Sequence, residues 1–398
     1  MATSRAKPSG PIRAVVVVSH PIQYYAPLYR ALAASAEFDL LVLFAAKIGL
    51  EVRRDVLMGV DMAWNTDLVG GYPHRFLDGA DRIQHTGLFQ VDNPGVGAAL
   101  AEADPDVVLL HGYAAMTNIK ALAWARLNQR PVIMISDSTI DSSAQVLRRL
   151  LKRTLARAVL SQFSAFLTLG DRGEAYLARY GVRPSRMFRC PAMIDAAFWQ
   201  AREHRAERRA AKRGALGIGD GEVVLIAAGK LYGGKRLLDV IAALKGIEAP
   251  IRLVIAGDGE QRAELEAAAR IAGVKADFLG FVNIDALPDL YAAGDILVHA
   301  AEVEQYGMVL LEAAVVGLPI IASDRIGAVG PSSIARPGVN ALVYPCGDVV
   351  ALRAAILELA SAPERLAQMA QASLAVSEDH RAALSVAGVE AACRAAMG

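Results

Sequence analysis

The sequence predicts an α/β protein made of two doubly wound, parallel-sheet domains, and three observations predict it. Short runs rich in Val, Ile and Leu alternate with amphipathic segments along the chain, the pattern of βαβ units with strands buried on both faces. The chain has 398 residues, more than one hydrophobic core ordinarily serves. Between Ala192 and Gly221 the pattern breaks. Residues Arg202 to Arg213 there carry six Lys and Arg against two Glu, and the strand runs then begin afresh.

The expected strands of the first half are Ala14–Ser19, Asp39–Phe44, Val107–His111, Pro131–Ile135 and Ala165–Leu169. Those of the second half are Glu222–Ala228, Arg252–Ala256, Ala276–Leu279, Ile296–His299 and Pro319–Ala322. Helical periodicity fills intervals between them at Tyr25–Ala36, Thr117–Arg126, Gly234–Ala243, Gly259–Ala272 and Met308–Val316. The expected domains are 1–195 and 196–375. Residues 376–398 form a helix expected to pack back across the junction. Ligands of such sheets bind beyond the carboxyl ends of the strands, so the crevice between the two domains is the expected site.

Forty-two Lys and Arg balance 41 Asp and Glu, which argues against a nucleic-acid binder. The three cysteines, Cys190, Cys346 and Cys393, are too scattered for a disulfide framework or a zinc site. The apolar run Ala14–Val18 is too short for a signal-peptide core, and Ala14 to Tyr29 holds His20, Pro21, Gln23 and Pro27, so it is not a membrane span. A cytoplasmic protein is expected. The basic run Arg148, Arg149, Lys152, Arg153 and Arg157 reads first as a solvated helix face. Its alternative is peripheral contact with the inner face of a membrane through the helix Arg148–Arg157.

Three glycine-punctuated strand ends carry the chemistry. Gly229-Lys230-Leu231-Tyr232-Gly233-Gly234-Lys235 places two lysines on a glycine-rich turn before a helix. Such a turn suits an anion, because glycine lets N–H groups approach it and the helix dipole favours negative charge. Ala256-Gly257-Asp258-Gly259 begins like a dinucleotide fingerprint, but Arg262 stands at its third glycine position. In Glu304-Gln305-Tyr306-Gly307-Met308-Val309-Leu310-Leu311-Glu312 two carboxylates bracket a strand-to-helix turn. The free N–H groups of Gly307, Met308 and Val309 can face a phosphate. Glu312, in an apolar helix, is costly unless hydrogen-bond donors reach it, and sugar or ribose hydroxyls would serve.

These stretches resemble the donor domain of glycosyltransferase family 4, retaining enzymes of GT-B fold with two Rossmann-like domains around a central cleft. Gly229-Lys230 with Lys235 resembles its phosphate motif, and Glu304 with Glu312 its pair of glutamates with seven residues between them. Gly317-Leu318-Pro319-Ile320-Ile321-Ala322-Ser323 and Gly338-Val339-Asn340-Ala341-Leu342-Val343 are similar to two motifs that follow. In the first half, Pro105-Asp106-Val107-Val108-Leu109-Leu110-His111, Tyr180-Gly181-Val182 and His20-Pro21-Ile22-Gln23-Tyr24-Tyr25 resemble family segments more loosely. The sequence departs from the family in Lys230, where arginine is common, in Ala192-Met193 and Ala301, and in a first loop without a glycine pair.

The resemblance implies transfer from a nucleotide sugar, with uridine as the default base, to a carbohydrate, lipid-linked or small-molecule acceptor. Lys230, Lys235 and the Gly307–Val309 amides would hold the diphosphate, Glu312 the ribose and Glu304 the sugar. Gly257, Phe281 and Val282 would meet the rest of the donor. His111, Glu304 and Lys235 are the expected catalytic residues. His20, Gln23, Tyr24 and Tyr113 are expected on the acceptor side, where Tyr25 and Trp64 also offer apolar faces. No metal or other cofactor is expected. Asp137 and Asp141 read as loop or cap residues. A nucleotide-sugar epimerase or sugar phosphorylase of the same shape is one alternative, a non-catalytic sugar binder another.

Overall fold

The structure, a computed structural model, describes residues 10–54, 58–62, 64–136 and 154–398. Asp137, Asp141 and all of the basic run except Arg157 lie outside them. The strands, in chain order, are β1 (Ile12–Val18), β2 (Phe38–Phe44), β3 (Arg53–Arg54), β4 (Asp61–Met62), β5 (His74–Phe76), β6 (Val107–His111), β7 (Val132–Ser136), β8 (Ala165–Thr168), β9 (Met187–Arg189), β10 (Val223–Ala228), β11 (Ile251–Ala256), β12 (Ala276–Phe278), β13 (Ile296–His299), β14 (Ile320–Ser323) and β15 (Ala341–Tyr344).

Two parallel sheets result, ordered β5-β2-β1-β6-β7-β8-β9 and β12-β11-β10-β13-β14-β15. β3 and β4 form a small antiparallel ribbon apart from them. Each sheet reverses its winding beside its first strand, between β1 and β6 and between β10 and β13. A crevice opens at such a reversal because successive crossovers leave on opposite faces. β6 and β13 end in His111 and His299, so the fold delivers both histidines to these switch points.

The long central strands are the ones expected from sequence. Within the two sheets, β5, β9 and β15 are additional, as is the β3–β4 ribbon outside them. Of the sheet strands, β5 and β9 have three residues each, all half-buried or exposed, so no apolar run announces them. Two helices start later than their periodicity suggested. Gly233–Lys235 forms a 3-10 turn before the helix Leu237–Leu244. Gly259 has φ +157°, and a Cβ there would lie 2.3 Å from the Leu231 carbonyl oxygen, so the next helix begins only at Arg262.

The basic stretch between the sheets folds as helices Ala196–Glu203 and Arg205–Ala215. Its arginines face the second sheet's layer. Arg209 and Arg213 pair with Asp295, and Arg213 also donates to the Gly219 and Glu222 carbonyls. The last helix, Ala382–Met397, packs on the first sheet and buries Val389, Ala392 and Cys393 there. A Cβ at Gly388 would lie 1.8 Å from the Arg189 carbonyl oxygen, so glycine permits this close approach. No helix among the described residues is long and apolar enough to cross a membrane.

Candidate active site

A cavity of about 420 Å³ lies between the carboxyl ends of the two sheets. Its second-domain wall holds Lys230, Lys235, Glu304, Gly307, Met308 and Val309. Lys235 forms an ion pair with Glu304, and the His299 Nε2–H donates to the same carboxylate oxygen at 3.3 Å. Burial opposes ionisation of Glu304, but the His299 hydrogen bond and the Lys235 charge outweigh it. The carboxyl is held down at about 2. Burial in turn lowers His299, which leaves it a neutral donor.

Gly307 caps the helix Met308–Val315 with φ +95°, and a Cβ there would lie 3.2 Å from both Glu304 Cγ and Ile326 Cγ2. Only glycine lets the chain turn here without strain. The turn opens the helix N-terminus beside the lysines. Gly257 has a different duty. Its Cβ would lie 1.8 Å from the Gly229 carbonyl oxygen, so it allows two loops to touch and does not line the cavity.

Glu312 stands apart from Glu304. It is 4% exposed and accepts a 2.8 Å hydrogen bond from the hydroxyl of Tyr291. Burial pushes its carboxyl up to about 7 despite that bond. It faces a narrower crevice with Gln23, Asp67 and Asp195, and Tyr24 lines both this crevice and the main cavity. Residues 64 and 65 reach across to the second domain beside it. The rings of Trp64 and Phe281 lie 6.1 Å apart, and the Asn65 amide donates to Asn283 Oδ1 at 3.4 Å. Val282 packs on the second domain's core.

On the first domain, His111 Nε2 lies 2.7 Å from the buried Tyr29 hydroxyl. Burial, with some repulsion from His20, pushes this imidazole down to about 3. His111 does not itself line the cavity. Tyr25 does, and meets it edge-on with ring centroids 4.2 Å apart. Asn118 Nδ2 donates to the His111 and Gly112 carbonyls and holds the strand end. His20 Nδ1 is 2.9 Å from Ser19 Oγ. Tyr113 packs against the first domain's apolar core rather than on the cavity.

A polar latch ties the domains together. Asp171 accepts hydrogen bonds from Ser332 N at 2.8 Å, Ser332 Oγ at 2.5 Å and Ser333 Oγ at 2.8 Å, and pairs with Arg189. Arg172 donates to the Asp324 and Val329 carbonyls. The latched loop also braces the Glu304 turn, since Gly327 N and Ala328 N donate to the Glu304 and Tyr306 carbonyls. Sequence reading missed Tyr29, Tyr291 and Asp171. A tyrosine inside an apolar helix reads as core, and Asp171 reads as an ordinary helix-start acid. Among the described residues no cluster of three or more His, Cys, Asp or Glu could hold a metal ion.

Two facing doubly wound domains, with paired lysine and glutamate side chains at one switch point, define a two-domain α/β protein with its site in the cleft. A family model described as "Glycosyl transferase 4-like domain" matches residues 21–192, and "Glycosyl transferases group 1" matches residues 208–375. The chain belongs to the glycosyltransferases of the family 4 type, with a GT-B fold.

It is 37% identical over 138 residues to an uncharacterized glycosyltransferase of Methanocaldococcus jannaschii, covering 33% of this chain and 35% of that one. It is 28% identical to a GDP-mannose-dependent alpha-(1-6)-phosphatidylinositol dimannoside mannosyltransferase of Mycobacterium tuberculosis, over 72% and 74% of the two chains. The chain spans about a third to a half of the length of several curated relatives it matches. Among solved structures, Anabaena HepE in complex with UDP superposes with a TM-score of 0.71 at 16% identity, over 95% of this chain and 98% of that one. That likeness concerns the fold.

Proposed function

We propose that this protein transfers a glycosyl group from a nucleoside-diphosphate sugar to an acceptor hydroxyl with retention of anomeric configuration. One observation carries the reading. Lys230, Lys235, Glu304 and the helix start at Gly307 converge on a single cavity that the first domain closes from the other side. In the transfer, the bond from the anomeric carbon to the diphosphate oxygen breaks as the acceptor oxygen bonds to that carbon on the same face. The acceptor's proton leaves with the departing diphosphate oxygen. Negative charge grows on that leaving group, and preorganised positive charge is what lowers the barrier. Lys230, Lys235 and the amides of Gly307 to Val309 supply it without a metal ion.

Glu304 accepts from the sugar hydroxyls and orients Lys235. Glu312, in the crevice it shares with Tyr24, takes the ribose. His111, neutral and bonded to Tyr29, acts on the first-domain side by holding Tyr25, which lines the cavity. Relatives are named for GDP-mannose and a structural neighbour is a UDP complex, so both bases belong in the test. The test is a thermal-shift screen of UDP, GDP and their sugars, followed by nucleoside-diphosphate release with and without acceptors. A transferase releases it faster with an acceptor. Release that no acceptor accelerates, or a sugar isomerised without one, overturns the reading in favour of an epimerase.

A further inference from the structure

The cavity has one charged wall and one apolar wall. Opposite Lys230, Lys235 and Glu304, the first domain presents Ile22, Tyr25, Leu28, Ile135, Leu167 and Met193. Among the described residues, no charged side chain of that domain lines the cavity. The arrangement follows from the fold. Ile135 and Leu167 are the next-to-last residues of β7 and β8, two strands buried on both faces, and Ile22, Tyr25 and Leu28 come from the loop and helix after β1. A polyol pressed on this wall would lose water from its hydroxyls and find few partners. An alkyl or aryl group would lose nothing polar and gain burial.

We infer that the acceptor is amphiphilic: a hydroxyl-bearing head that meets the donor sugar at Glu304 and Lys235, joined to an apolar aglycone seated on the Ile22–Leu28–Ile135 wall. The inference rests on reading the cavity as the transfer site.

The test uses two acceptor analogues that differ only in the aglycone, methyl β-D-glucoside and octyl β-D-glucoside. The second is kept below its micelle concentration. Binding of each is measured by calorimetry to the full-length protein saturated with UDP, or with GDP if that binds instead. Each buried methylene multiplies affinity on the order of fourfold, so two or more seated methylenes make the octyl compound bind more than about tenfold tighter. Ile22→Asn and Leu169→Ser, both at half-buried cavity positions, should reduce that ratio severalfold. The melting temperature and nucleotide affinity of each variant report whether the site is still formed. Equal affinities for the two glucosides, or an octyl preference that both variants keep, overturn the inference and leave the function proposed above standing. Failure of both nucleotides to bind overturns that function instead, and this inference with it.

Discussion

The Tyr29 hydroxyl and His111 Nε2 meet at 2.7 Å. A buried hydroxyl proton needs an acceptor, and with the tyrosine as donor the imidazole carries its proton on Nδ1. The helix Ala26–Ala33 thereby sets the tautomer of a histidine 82 residues away in sequence.

Tyr29→Phe should cut turnover by about tenfold, the scale of one misdirected hydrogen bond, and change nucleoside-diphosphate affinity little. The matching pH–rate profile of the wild type should show no limb near 6.5 from His111, because burial keeps that group neutral well below this range. Stopped assays from pH 5 to 9 check both, and a limb near 6.5 that His111→Asn abolishes would show that burial does not hold His111 neutral.

Lys235→Ala should cost about 2–4 kcal/mol of transition-state stabilisation, as for loss of one key charge-stabilising donor. Glu304→Ala should lower turnover and blur sugar selectivity while nucleoside-diphosphate affinity stays near wild type. Calorimetry with the nucleoside diphosphate and steady-state kinetics on both variants separate the two roles.

Glu312 makes stability depend on pH in an unusual direction. Its carboxyl sits at about 7 in the folded protein against 4.5 unfolded, so the native state binds the proton more tightly. The favourable contribution is fully present below about 4.5 and is lost as pH rises toward 7. Glu312→Gln should therefore melt a few degrees above wild type at pH 8 and level with it at pH 4. The same variant should bind nucleotide more weakly. Paired melting curves at the two pH values decide the first point.

Asp171→Ala removes the acceptor that holds Ser332 and Ser333 to the first domain. The loss of several charge-assisted bonds should destabilise the protein by about 2 kcal/mol or more. Because the same loop braces Glu304, turnover should fall as well. Small-angle scattering should show a more open pair of domains, and unchanged scattering with full activity would remove the latch from the mechanism.

EDTA should leave transfer within about threefold of the untreated rate, under about 1 kcal/mol, because two ammonium groups and a helix N-terminus take the role of an ion. Initial rates on chelated protein at saturating donor check this. Loss of nine-tenths of the activity, restored by manganese, would put a metal ion into the mechanism.

By itself the sequence determined the two-sheet architecture. A strand covered by helices on both faces must be apolar throughout, so β1, β6, β10 and β13 show in any reading of residues 14 to 299. The lysine turn and the Glu304–Gly307–Glu312 spacing were equally legible, since turn chemistry is written in contiguous residues. Only the tertiary structure decided what those groups meet. Glu304 is held by Lys235 and His299, whereas Glu312 is held by Tyr291 and sits beyond Tyr24 in a separate crevice. Tyr29 reaches His111, and Asp171 reaches Ser332, across 82 and 161 residues of sequence. Such meetings depend on strand order and on how closely the domains approach, and no local periodicity encodes either. The buried carboxylates make the difference plain: two glutamates eight residues apart share one motif, yet their surroundings drive one far below and the other well above the ordinary carboxyl range.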